Sequence, residues 1–176
     1  MNNRLELRFT GFGGQGLILA SIILAEAALS DSLFAAQSQS YGPEARGGMC
    51  KAELVIDKVE IDYPKVQDAD CLLVLNQVSF DKYSNEVSGS GVIIADSGIR
   101  VPPGFSGARL VSIDIIKTAE NVVGKGVTAN IVALGAVNAL LKVVAQESLE
   151  RAVLKYVPKS TQELNVRALV EGGRLA

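Results

Sequence analysis

Gly11-Phe12-Gly13-Gly14-Gln15-Gly16 places glycines at the GxGxxG spacing. It lies between an alternating, β-prone run, Leu5–Thr10, and an Ala/Leu/Ile-rich run, Leu17–Ala27, with the length and composition of a helix. Gly11 permits a tight turn, Gly13 lets backbone approach a ligand, and Gly16 lets the helix pack close to the strand. The first N–H groups of a helix have no partner inside it, and the helix dipole favours negative charge beside them. A phosphate cradled by Gly13, Gly14, Gln15 and Gly16 is the expected occupant. A nicotinamide or flavin dinucleotide would also require an Asp or Glu closing the second strand. The second β-prone run, Leu33–Ser40, ends in amides and hydroxyls, and Asp31 precedes it. The residues therefore argue against a dinucleotide redox site.

A second stretch carries chemistry. Tyr41-Gly42-Pro43-Glu44-Ala45-Arg46-Gly47-Gly48 cannot be a regular element, yet it holds a Tyr, a Glu and an Arg close together. In a doubly wound sheet this loop leaves the carboxyl edge that also carries the glycine turn. Ser40, Tyr41 and Arg46 are then candidate ligand or subunit contacts, Arg46 foremost, because its fork of donors binds phosphate or carboxylate bidentately. The bland alternative is a surface turn with a Glu44–Arg46 pair, worth only ~0–1 kcal/mol.

Composition narrows the chemistry. The chain of 176 residues contains no His, which removes the Ser-His-Asp and Cys-His arrangements and imidazole metal sites. Cys50 and Cys71 are the only cysteines, too few to hold an iron–sulfur cluster, so neither catalytic nor metal-ligating residues are assigned. A net charge of −2, with no cluster of Lys or Arg, gives no footprint for nucleic acid. The first residues lack a secretory pattern, so the expected compartment is cytoplasmic. A hydrophobic share of 48% with few aromatics suits buried parallel strands and close-packed helices, and the surplus hints at surface covered by partner subunits.

The elements that must position these residues repeat as strand, helix, strand. Residues 1–176 are expected to form one α/β domain: a Rossmann-like, doubly wound open sheet, mostly parallel, with helices on both faces and a helical C-terminal part. Met49–Ile56 alternates, with Lys51 and Glu53 on the open side of a half-exposed antiparallel or edge strand. Cys71–Leu75 and Val92–Ala95 read as buried strands, Ser79–Val87 as a helix capped by Ser79, and Gly89-Ser90-Gly91 as the turn after it. Thr128 is the candidate cap of a helix over Ala129–Ala145 that is apolar almost all round. Its Asn130, Asn138 and Lys142 favour a buried helix over a membrane span.

Three stretches together carry a resemblance: the glycine turn, then Gln37-Ser38-Gln39-Ser40-Tyr41-Gly42-Pro43-Glu44-Ala45-Arg46-Gly47-Gly48, then Asp62-Tyr63-Pro64 with Gly126–Gly135. They resemble the gamma subunits of 2-oxoacid:ferredoxin oxidoreductases, most of all the 2-oxoglutarate type. The likeness continues through Val157-Pro158 and Glu163-Leu164-Asn165. It implies one subunit of a complex that converts a 2-oxoacid, coenzyme A and oxidised ferredoxin to acyl-CoA, CO2 and reduced ferredoxin. Thiamine diphosphate, magnesium and iron–sulfur clusters would sit mainly on alpha, beta and ferredoxin-like delta partners. Coenzyme A would be the co-substrate associated with this domain, near Gly11, Gly13, Gly14, Gln15, Gly16, Ser40, Tyr41 and Arg46. Two alternatives stay open: a pyruvate or branched-chain 2-oxoacid complex, and a purely structural assembly subunit.

Overall fold

The computed structural model describes residues 4–41 and 48–176, with only the backbone of Tyr41. The chain begins with strand β1 (Leu5–Phe12), whose Leu7 and Phe9 alternate with Glu6, Arg8 and Thr10. Helix α1 (Leu17–Ser30) follows, then strands β2 (Phe34–Tyr41), β3 (Met49–Asp57) and β4 (Ala69–Val74). Helix α2 (Gln77–Tyr83) leads into strands β5 (Val87–Asp96) and β6 (Arg109–Ile113). A short helix α3 (Ile115–Lys117) runs into a π-helical turn, Thr118–Val123. Helices α4 (Ala129–Leu141), α5 (Gln146–Tyr156) and α6 (Gln162–Gly173) complete the chain.

The sheet has the order β2-β3-β1-β4-β5-β6. β1, β4, β5 and β6 pair in parallel, while β3 is antiparallel to both β1 and β2. The antiparallel expectation for β3 holds, but the strand is interior. Its open side is also buried. Arg8 lies across from Glu53 and is 4% exposed, with Nε 2.9 Å from Glu53 Oε1 and Nη1 2.6 Å from Glu86 Oε2. Its guanidinium stands 5.4 Å from the Tyr83 ring centroid. Alternation alone does not show that the end of α2 covers this face.

Helices cover both faces unequally. On one, α1 and α4 share a core cluster with Leu7, Phe9, Leu54, Leu73 and Ile94, while α5 packs on α1 and α6 on α4. On the other, α2 contributes Phe80 and Tyr83 against Leu72, Val74, Ile93 and Ala95. α4 is buried throughout Ala129–Asn138. Small residues let α6 approach it closely: a Cβ on Gly172 would fall on the Val132 carbonyl oxygen, and one on Gly135 on that of Leu169.

Several boundaries differ from the sequence reading. Asn76, not Ser79, caps α2, accepting from the Ser79 amide at 2.8 Å, so the helix starts and ends earlier. Gly89-Ser90-Gly91 belongs to β5, where Gly91 lies against the Asp70 and Ala69 carbonyl oxygens at distances no Cβ would tolerate easily. α4 stops at Leu141 because Lys142 turns left-handed, at φ 53°. Asp31 accepts from the Ala145 amide at 2.6 Å and from the Ser148 hydroxyl, fixing the start of α5. Among the described residues no helix is long and apolar enough to cross a membrane.

Candidate functional site

The glycine turn closes on itself. Gln15 Oε1 accepts from the Phe12 amide at 2.6 Å, and the Gln15 amide donates to the Phe12 carbonyl at 3.2 Å. A Cβ on Gly11 would meet that same Oε1, so Gly11 makes room for the brace. Gly14 at φ 96° and Gly16 at φ 74° hold left-handed conformations that side chains disfavour. Gly13 donates to the Gly48 carbonyl at 2.9 Å, which ties the turn to the end of the second loop. The two loops thus meet at the carboxyl edge of β1, as the topology requires.

This geometry redistributes the expected roles. The Gly13 amide is engaged with Gly48, and the Gln15 amide and side-chain Oε1 both serve the turn through Phe12. Among the described residues, the N–H groups of Gly14, Gly16, Leu17, Ile18 and Leu19 meet no acceptor. Ser40 is exposed and lies in register with Lys51 and Thr10, on the sheet face away from α1. Tyr41 is in register with Cys50 and Gly11. Arg46 lies outside the described residues.

Beside the turn is a groove of about 290 Å³. Gly14, Gly16 and Leu19 form one wall, Val127, Thr128, Asn130 and Ile131 a second, and Val157, Pro158, Thr161, Leu164 and Asn165 a third. The walls are the starts of three helices. Gly16, Thr128 and Thr161 occupy the N-cap positions of α1, α4 and α6, and none of these helices has a side-chain cap. Thr128 Oγ1 donates instead to the Lys125 carbonyl at 2.7 Å, and Thr161 Oγ1 to that of Pro158 at 3.0 Å. The expected Thr128 cap is therefore replaced by a bond back into the preceding turn. The three helix starts line one groove that is otherwise apolar; α4 and α6 each continue a 3₁₀ turn in which the Ala129 amide donates to the Gly126 carbonyl and the Gln162 amide to that of Lys159, so among the described residues the open backbone donors beside the groove are those of the glycine corner and the first turn of α1.

Two buried amides shape its floor. Asn130, 5% exposed, donates from Nδ2 to the Gly16 carbonyl at 3.2 Å, and Asn165 from Nδ2 to the Thr161 carbonyl at 2.9 Å. Motif chemistry singles out neither; their signal lies in the Gly126–Gly135 and Glu163-Leu164-Asn165 stretches. The cysteines play no part in the groove. Burial raises the Cys50 thiol, and burial with the nearby Asp70 charge pushes Cys71 up to about 12, so both stay protonated at neutral pH.

Fold and groove define a class: an open α/β domain whose carboxyl edge gathers helix starts around a glycine corner and sets an apolar groove beside it. The family model for pyruvate ferredoxin/flavodoxin oxidoreductase matches residues 6–175, and the chain belongs to that family. A relative from Methanocaldococcus jannaschii, 2-oxoglutarate synthase subunit KorC, is 42% identical over 98% of this chain and 94% of its own length. The crystal structure of the keto/oxoacid ferredoxin oxidoreductase gamma subunit from Geobacter sulfurreducens matches with TM-score 0.88 and 46% identity, over 98% of this chain and 95% of that one. A third likeness concerns fold alone. The 2-oxoglutarate:ferredoxin oxidoreductase from Magnetococcus marinus, with 2-oxoglutarate, coenzyme A and succinyl-CoA bound, matches at TM-score 0.90 and 19% identity, over all of this chain and 31% of that one.

Proposed function

We propose that the chain is the gamma subunit of a 2-oxoglutarate:ferredoxin oxidoreductase and that its groove binds coenzyme A. The observation that carries this reading is the set of open N–H groups on Gly14, Gly16 and the first turn of α1 beside one apolar groove walled by the starts of α4 and α6. Coenzyme A pairs clustered phosphates with a long, mostly uncharged arm. The N–H groups of Gly14, Gly16 and the first turn of α1 would take phosphate oxygens, and Leu19, Ile131, Val157 and Leu164 would line the arm. Arg46 keeps the role its fork of donors suggests, and Gly11, Gly13 and Gln15 keep the turn in shape. Tyr41 and Ser40 extend the same edge.

Coenzyme A supplies the thiol that accepts the acyl group, and this chain's part is to bind and orient it. Thiamine diphosphate, magnesium and the iron–sulfur clusters are assigned to alpha, beta and delta partners, since two separated buried cysteines supply too few ligands for a cluster. Ferredoxin then takes the electrons from the assembled complex in the cytoplasm.

The test is Leu164→Asp in the co-expressed complex. A carboxylate in the groove would compete for the helix starts and repel phosphate. The KM for coenzyme A should rise about tenfold, equivalent to ~1.4 kcal/mol, while the KM for 2-oxoglutarate and subunit co-purification stay unchanged. An assembled variant with unaltered coenzyme A kinetics would overturn the reading. Loss of assembly with normal kinetics in the residual complex would instead favour a structural subunit.

A further inference from the structure

The two edges of the sheet are protected very differently. β6 is short, opens on the exposed Arg109 and follows Pro102-Pro103, features that discourage another strand from adding there. β2 has none of them. Phe34-Ala35-Ala36-Gln37-Ser38-Gln39-Ser40-Tyr41 contains no charge, proline or glycine. It pairs with β3 in unbroken register from Phe34↔Asp57 to Tyr41↔Cys50, with no bulge to twist the edge away. Its other side pairs with no strand among the described residues, and Phe34 is 45% exposed. Such an edge presents a row of backbone donors and acceptors about 27 Å long, at ~3.4 Å per residue.

We infer that the free edge of β2 pairs antiparallel with β2 of a second copy of this chain, joining two sheets across a two-fold axis. The strand's own sequence selects this occupant. With the axis normal to the sheet at Ser38, Ser38 faces Ser38, Gln37 faces Gln39 and Ala36 faces Ser40 of the other copy. Hydroxyls meet hydroxyls, and amides, which carry both donor and acceptor, meet amides. Odd-numbered residues stay on the α1 side in both copies, as Gln37 shows by donating from Nε2 to Ser21 Oγ at 3.1 Å. No like charges oppose one another along the edge. A strand pair alone is smaller than a standard interface of ~1,200–2,000 Å², so the dimer should be reversible and concentration-dependent.

Ser38→Lys tests the inference. In the single chain residue 38 stands opposite Glu53, which already pairs with Arg8 and Lys51, and at the axis two lysines would abut. Sedimentation velocity on the full chain over a wide concentration range should show a monomer–dimer equilibrium, with Ser38→Lys weakening dimerisation about tenfold or more. Amide exchange of the wild-type chain supplies a second readout free of any folding defect in the variant: β2 amides should gain protection as concentration rises. A wild-type chain that stays monomeric, or a dimer indifferent to both readouts, overturns the inference. So does β2 protection that appears only when the other subunits are added, which would assign the edge to a partner's strand.

Discussion

Gly16→Ala isolates the junction between the glycine corner and α4, and its cost can be worked from two independent parts. The residue sits at φ 74°, where a Cβ carries a penalty of roughly 1 kcal/mol or slightly more. The same Cβ would lie 2.5 Å from Asn130 Nδ2 and 2.9 Å from its Cγ, so Asn130 must shift. That shift loses its hydrogen bond to the Gly16 carbonyl, worth about 1 kcal/mol, on top of the packing disturbance. The sum is about 2–3 kcal/mol, or roughly 4–12 °C in Tm for a chain of this size. Asn130→Ala alone should cost about 1–2 kcal/mol through the same bond and a small void. In the double variant the collision is gone and the bond can be lost only once. The total should therefore fall short of the sum of the singles by about 1 kcal/mol or more. Urea unfolding of the three variants gives the coupling directly. Additivity within ~0.5 kcal/mol would mean that the two sites do not share a contact, and the account of how Gly16 joins the helices would fail.

Arg8→Met should destabilise the chain by about 3 kcal/mol, because the methionine fills space but leaves the buried Glu53 with only Lys51 as a cationic partner. Equilibrium unfolding checks it, and a loss under ~0.5 kcal/mol would show that Lys51 alone satisfies Glu53. Burial, partly offset by the hydrogen bond from the Glu6 amide, lifts the Asp70 carboxyl above the usual range, and the charges of Glu6 and Asp68 add to it. As pH rises, the unfolded chain therefore ionises first, and stability falls between the ordinary Asp value, ~3.9, and the raised one. Asp70→Asn should flatten that part of the stability profile and leave stability below it unchanged. An unaltered profile would refute the shift.

The sequence reading succeeded where local pattern and tertiary context agree. Continuous apolar runs such as Cys71–Leu75 and Val92–Ala95 gave central strands because only burial on both faces suits them. The glycine spacing placed the corner at the end of β1, since turn geometry is set by the residues themselves. It failed where a distant element changed the meaning of a local signal. Lys51 and Glu53 read as a solvated face until Tyr83 and Glu86, at and just beyond the end of α2, are seen over Arg8. Ser79 and Thr128 read as caps because serine and threonine commonly cap helices, but Asn76 lies nearer the first and the Lys125 carbonyl takes the second.

The positions of the Thr128 and Thr161 hydroxyls bear directly on the site. At α4 and α6 the preceding 3₁₀ turns take the first amides, Ala129 to Gly126 and Gln162 to Lys159, whereas among the described residues the first turn of α1 leaves its amides open. Thr128 and Thr161 both turn backward, and Gly16 has no side chain to offer. None of the three helix starts is informative alone, because water satisfies a single open start such as that of α1. Only folding brings them to one groove, with Asn130 linking α4 to the turn and Asn165 bracing the start of α6. Bound water would satisfy the open donors of the glycine corner and α1, but it gives no reason for apolar walls beside them. Under the proposed function, a ligand with several anionic groups and an uncharged arm would meet both, so that the groove as a whole, and not the glycine motif by itself, would recognise it.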